Sequence, residues 1–107
     1  MITYGKNING ETISLGTNVS PFLALSCGSK NLVEINLPKD IIIFDCYNNH
    51  ITKLDLPNTL TTLVCYDNPI KELTLPKSII YAELPLNCIA TNLDEFKNND
   101  EVEIYFI

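Results

Sequence analysis

The chain contains no arginine and no tryptophan, and its only histidine is His50. All seven basic residues are lysine, against thirteen acidic ones, for a net charge of −6. Without a planar guanidinium fork, the bidentate grip on a phosphate or a base edge is missing. The acidic field also repels nucleic acid and anionic lipid, so neither nucleic acid nor a membrane is an expected partner. Long apolar runs are missing too. The longest, such as Ile41-Ile42-Ile43-Phe44, fall far short of the ~20 residues of a membrane-spanning helix. The first twenty residues hold no basic segment followed by an apolar one, so no secretory signal is read and the expected compartment is cytoplasmic. Asn18-Val19-Ser20 is then a glycosylation sequon on paper only. No glycine-rich phosphate loop or paired-acid motif occurs, and Gly16 and Gly28 are isolated turn residues. A lone histidine needs a nucleophile beside it and a third group to orient it before it can catalyse. His50 sits in a turn, so no enzyme and no cofactor are expected.

What the chain does have is an internal repeat, the first thing to establish because missing it miscalls the fold. Pro38, Pro57 and Pro76 recur at an interval of 19, as do Cys27, Cys46 and Cys65, and Asn49, Asn68 and Asn87. The best-kept copy reads Leu60-x-x-Leu63-x-Cys65-x-x-Asn68-x-Ile70-x-x-Leu73-x-Leu75-Pro76. The copy before it carries Ile41, Phe44, Cys46, Asn49, Ile51, Leu54, Leu56 and Pro57 at the same places. The first copy begins at Phe22, has Leu25 and Cys27, and places Lys30 where asparagine is expected. A fourth begins with Ile79, Ala82, Leu84, Asn87 and Ile89 and then loses the pattern.

In Thr62-Leu63-Val64-Cys65-Tyr66, alternation at period two sends Leu63 and Cys65 to one face and Thr62, Val64 and Tyr66 to the other. Such a strand cannot bury its face alone, but stacked on its copies it forms a parallel sheet with strands about 4.8 Å apart. Ile70, Leu73 and Leu75 then fill the interior from the back of the coil, and the proline ends the extended run. Nineteen residues per coil leave little room for a helix, so the back should be extended or polyproline-like. Buried backbone groups lose their ladder partners where the chain leaves the strand, and a stack of asparagine amides can satisfy them.

The spacing of these residues resembles the leucine-rich-repeat pattern over roughly positions 22 to 90, with cysteine in the second strand position. The short period and Leu56-Pro57-Asn58-Thr59-Leu60-Thr61-Thr62-Leu63 look like the short-repeat proteins of giant viruses, amoebae and some bacterial effectors. Asn68-Pro69-Ile70 is similar to FNIP-type repeats, although Asp67 stands where those carry phenylalanine. The resemblance implies a leucine-rich-repeat solenoid with its parallel β-sheet on the concave side, mostly extended back segments and little helix. It also implies a protein–protein interaction module in the cytoplasm, or in a host cytoplasm or virion if the source is viral.

The whole chain, 1–107, reads as one domain: an N-terminal cap over 1–20, repeats over about 21–90 and a C-terminal cap over 91–107. Ile2-Thr3-Tyr4 and Thr12-Ile13-Ser14-Leu15 read as a hairpin. Thr91-Asn92-Leu93-Asp94 has capping-box spacing ahead of a short helix through Leu93 and Phe96. Val102, Ile104 and Phe106 alternate with Glu101, Glu103 and Tyr105 as a final parallel strand. The cysteines of the three copies stack in a column about 10 Å long over two strand steps, whereas zinc needs its ligands within about 2.3 Å of one point. They are expected to be buried free thiols with no metal, and Cys88, beyond the strand, to be the most exposed of the four.

The outward strand positions are the candidate partner-binding residues: Ile43, Asp45, Tyr47, Thr62, Val64, Tyr66, Tyr81 and Glu83. Nothing in the core requires apolar or aromatic side chains there. They serve either as binding anchors or as cross-strand pairs that stabilise the sheet from outside. The function expected is binding of a protein partner on this concave face. The alternative is a structural component of a larger assembly such as a virion, with self-association at its edges.

Overall fold

The protein, seen in a computed structural model that describes residues 2–17 and 23–107, is a β-solenoid of about four turns with almost no helix. Phe22 and the sequon at 18–20 lie outside the described residues. The front of each coil is a short strand: β3 (Ala24–Ser26), β5 (Ile43–Asp45), β6 (Thr62–Val64), β8 (Tyr81–Leu84) and β10 (Glu103–Phe106). They form one sheet in the order β10-β8-β6-β5-β3, parallel at every pairing. The register brings Leu25, Phe44, Leu63, Ala82 and Ile104 side by side. The first four are buried, so the alternation read from the sequence sets which face is core.

Behind the sheet the chain returns through extended segments. β1 (Ile2–Asn7) and β2 (Thr12–Thr17) form the antiparallel hairpin expected of the N-terminal cap. β4 (Leu32–Ile35), the back of the first coil, adds to β1 antiparallel. β7 (Glu72–Leu73) and β9 (Ile89–Ala90) pair in parallel at the back of the last two coils. Between these two small sheets, residues 52–57 form no strand. Ile51, Ile70, Leu73 and Leu75 are buried from the back, as their spacing predicted, while Leu54 and Leu56 are half-buried.

Each of the first three coils closes on its proline. Ile41, Leu60 and Ile79 donate their N–H groups to the carbonyls of Pro38, Pro57 and Pro76 at 3.3, 3.2 and 3.1 Å. The proline's fixed φ suits such a turn, and its missing N–H costs nothing there. The bend out of β3, β5 and β6 is left-handed: Ser29, Asn48 and Asp67, nineteen residues apart, have φ of 57°, 53° and 57°. Small polar side chains tolerate that conformation better than bulky ones.

The asparagine column works at two of its three places. The Asn49 amide donates to the carbonyls of Cys27, Cys46 and Tyr47 at 3.0, 2.9 and 3.2 Å and accepts from the N–H groups of Lys30 and Leu32. Asn68 donates to the carbonyls of Cys46, Cys65 and Tyr66 and accepts from the Ile51 N–H at 3.0 Å. Each amide thus ties its own coil to the one before.

The fourth coil departs from the expected register. Leu86 stands where Ser29, Asn48 and Asp67 bend left-handed, a conformation costly for leucine. The chain turns at once instead, with the Cys88 N–H bonded to the Pro85 carbonyl at 3.0 Å. The back then arrives two residues early, pairing Leu73 with Ala90 where a period of 19 would bring Asn92. Asn87 and Ile89 are consequently exposed, against expectation, and Cys88 is buried at 6 % exposure. The expected capping box does not form. Asn92 holds both the N–H and the carbonyl of Leu75 through its amide, and the Thr91 and Thr74 hydroxyls bond each other at 2.6 Å. In place of the expected short helix the chain makes a single 3-10 turn, Leu93–Glu95, and then enters β10, the parallel strand that alternation predicted. No helix among the described residues is long and apolar enough to cross a membrane.

Candidate interaction surface

Opposite the core, the sheet presents its side chains in rows across the strands. Ala24, Ile43, Thr62, Tyr81 and Glu103 make one row, and Ser26, Asp45, Val64, Glu83 and Tyr105 the next. Just beyond the strand ends, Gly28, Tyr47, Tyr66 and Pro85 continue at the repeat interval. All eight residues picked from the sequence therefore share this face. Ile43 is exposed, and Asp45, Tyr47, Thr62, Val64, Tyr66, Tyr81 and Glu83 are half-buried against one another.

Two aromatic pairs stand on the face. Tyr47 and Tyr66 stack with ring centroids 5.4 Å apart and planes at 16°. The Tyr47 ring lies where a side chain on Gly28 would have to be, so the glycine leaves room for the stack. Tyr81 and Tyr105 meet at 5.8 Å and 52° on neighbouring strands. Their hydroxyls are tied to carboxylates: Tyr81 donates to Glu83 in a short hydrogen bond, and Tyr105 donates to Glu103 at 3.3 Å. The bond to Glu83, helped by burial and the same carboxylate's charge, pushes the Tyr81 hydroxyl up to about 12. Burial, then the neighbouring Tyr47, moves Tyr66 in the same direction. Tyr105 is raised chiefly by the charge on Glu103. These hydroxyls remain donors at any physiological pH.

Glu103 and Tyr105 belong to the surface, and reading the repeat alone misses them. Their alternation with Ile104 is plain in the sequence, but β10 follows β8 by 22 residues where the other coils keep 19. The strand can be found by parity and not by period.

The thiols lie beneath this face. Cys27, Cys46, Cys65 and Cys88 are all free and buried. Burial pushes the Cys27 thiol up to about 12 and raises the other three as well. Such thiols are poor nucleophiles, because the thiolate is the reactive form. Cys88 is no exception, so the expectation of an exposed thiol there is corrected. It is buried at the turn by which the fourth coil shortens. His50 is exposed at the coil edge, anchored through its N–H to the Leu32 carbonyl at 2.7 Å.

A second concave feature lies on the back. An open groove of about 870 Å³ runs along the back between the second and third coils, lined by Thr52, Lys53, Leu54, Asp55, Leu56, Pro69, Lys71, Glu72, Leu73, Thr74 and Thr91. Its charged residues mix both signs, and one wall is the segment 52–56, which forms no strand. The front face carries the aromatic rings, which suit contact with a protein surface. Among known proteins, no family, no curated sequence and no solved structure matches this chain.

Proposed function

We propose that the chain is a leucine-rich-repeat-type binding module that docks a protein partner on the outward face of its parallel sheet, without catalysis. The observation that carries this reading is the pair of tyrosine clusters, with Ile43 and Val64, at positions the core does not use. Tyrosine gives a large, stiff contact area with a polar tip, and such residues dominate binding energy at protein interfaces. A sheet already held on both sides by ladder bonds also loses little conformational freedom when a partner lands on it.

Capture of partners from the native source, with mass spectrometry of what is retained, identifies the ligand. Tyr47→Ala with Tyr66→Ala should then weaken binding by more than tenfold, whereas Lys53→Ala with Lys71→Ala, on the walls of the back groove, should change it less than twofold. The reverse pattern moves the site to the back groove.

A second reading, a structural component of a larger assembly such as a virion, draws support from the outer edge of β10. Among the described residues β8 is its only ladder partner, and Ile104 and Phe106 stay half-buried although they face inward. Mass that grows with concentration in sedimentation favours assembly, and a constant 12.0 kDa species favours the binding module.

A further inference from the structure

We propose that the outward face recognises a basic, extended polypeptide segment carrying two lysine or arginine side chains three residues apart; this rests on the front-face reading above. Charge is segregated on the molecule. Asp45, Glu83 and Glu103 stand at outward positions of the sheet, and none of the seven lysines does. On the back, by contrast, Asp55 and Glu72 share their groove with Lys53 and Lys71. Glu83 and Glu103 occupy diagonal places on adjacent strands, each joined by a tyrosine hydroxyl from its own strand. A hydroxyl donor orients a carboxylate without neutralising it, so two carboxylates stand on the sheet with no lysine at its outward positions among the described residues. An incoming cation finds acceptors there already oriented.

The row geometry sets the ligand's spacing. Asp45 and Glu83 lie in one row with Val64 between them, two strand steps or about 10 Å apart. Three residues of extended or polyproline chain also span about 9–10 Å, and the three-residue turn of polyproline II brings positions i and i+3 to the same side. A segment crossing the strands can therefore set one cation on Asp45 and the next on Glu83, with an apolar residue over Val64. The tyrosines flank both ends: the Tyr47–Tyr66 stack beside Asp45, and the Tyr81–Tyr105 pair beside Glu83. Ring faces attract cations, and the rings cover the aliphatic stems of long basic side chains.

The test uses two capped nonapeptides of identical composition, one with lysines at i and i+3 and one with the lysines adjacent, titrated calorimetrically into the purified protein. The spaced peptide should bind at least fivefold tighter than its isomer. Asp45→Asn with Glu83→Gln should weaken it at least tenfold, while Glu34→Gln with Asp55→Asn, which removes the same charge from the back, should cost less than twofold. Equal losses in the two variants mean attraction by net charge alone and overturn the proposal, as does equal binding of the two isomers. Selection from a random peptide library separates this inference from the reading beneath it. Selected peptides that lose binding with Tyr47→Ala/Tyr66→Ala yet show no excess of lysine or arginine refute the cation motif and leave the front face standing. Peptides indifferent to that tyrosine pair refute the front face itself.

Discussion

Thr62 and Leu63 are neighbours with opposite fates: the leucine is fully buried between Phe44 and Ala82, and the threonine stands half-buried on the outward face. Truncating a buried leucine to alanine costs about 2–5 kcal/mol, and replacing it with aspartate adds the cost of burying an unpaired charge. Leu63→Asp should therefore unfold the protein, and Thr62→Asp should shift its stability by under about 1 kcal/mol. Urea titration of both variants decides it; similar midpoints would mean the strand faces the other way. This parity was legible in the sequence because period-two alternation holds through each copy. The roles of Asn49 and Asn68 were legible as well, since an amide at a bend between coils has few other uses. Asn87 was not, because the letter repeats while the backbone around it does not. The residue to read was Leu86, which cannot comfortably take the left-handed bend that Ser29, Asn48 and Asp67 share.

Stacked strands turn a repeated residue into a column, and a column of thiols behaves as a unit. Burial raises all of them; Cys46 is raised further by Cys65 and Cys27, and Cys65 by Cys88, because each thiolate would sit beside another. In the unfolded chain these thiols ionise near their ordinary value of about 8.5. The folded-state values are raised, so the folded chain holds protons that the unfolded chain releases above about pH 9. The stabilisation is complete below that pH and is lost as pH rises toward the folded values, at about 1.4 kcal/mol per pH unit for each of Cys27, Cys46 and Cys65. Unfolding free energy should thus fall steeply between about pH 8.5 and 10, and the Cys46→Ala variant should show a slope shallower by one thiol's share. A flat profile over that window would show that the thiols ionise in place and are not sealed in the core. The column itself was predictable from the interval of 19, but the burial of Cys88 was not, since it depends on the fourth coil turning early.

Over the whole molecule the two sides of the solenoid are built differently. The front is one continuous sheet in which five strands pair in sequence order from β3 to β10. The back is broken: β4 belongs to the hairpin's sheet, β7 pairs only with β9, and residues 52–57 lie between them unpaired. The sequence foretold extended backs for every coil, but which of them would pair depends on how the N-terminal hairpin and the shortened fourth coil approach, and no local pattern encodes that. The asymmetry has a measurable consequence. The N–H groups of Cys27, Cys46 and Cys65 donate to the carbonyls of Asp45, Val64 and Glu83 at 2.8, 2.8 and 2.9 Å beneath a tyrosine-covered face. None of the N–H groups of residues 52–56 donates to an acceptor among the described residues. Exchange from the front amides requires opening of the sheet and should proceed at the rate set by global unfolding. Amides 52–56 should exchange at nearly the free-peptide rate, although they belong to a central coil. Hydrogen exchange read by NMR tests this directly. Protection at 52–56 comparable to that at 46 and 65 would mean that the back is continuous in solution, and that the groove beside it is closed. Fast exchange there with slow exchange in front identifies a stiff front sheet carried on a looser spine.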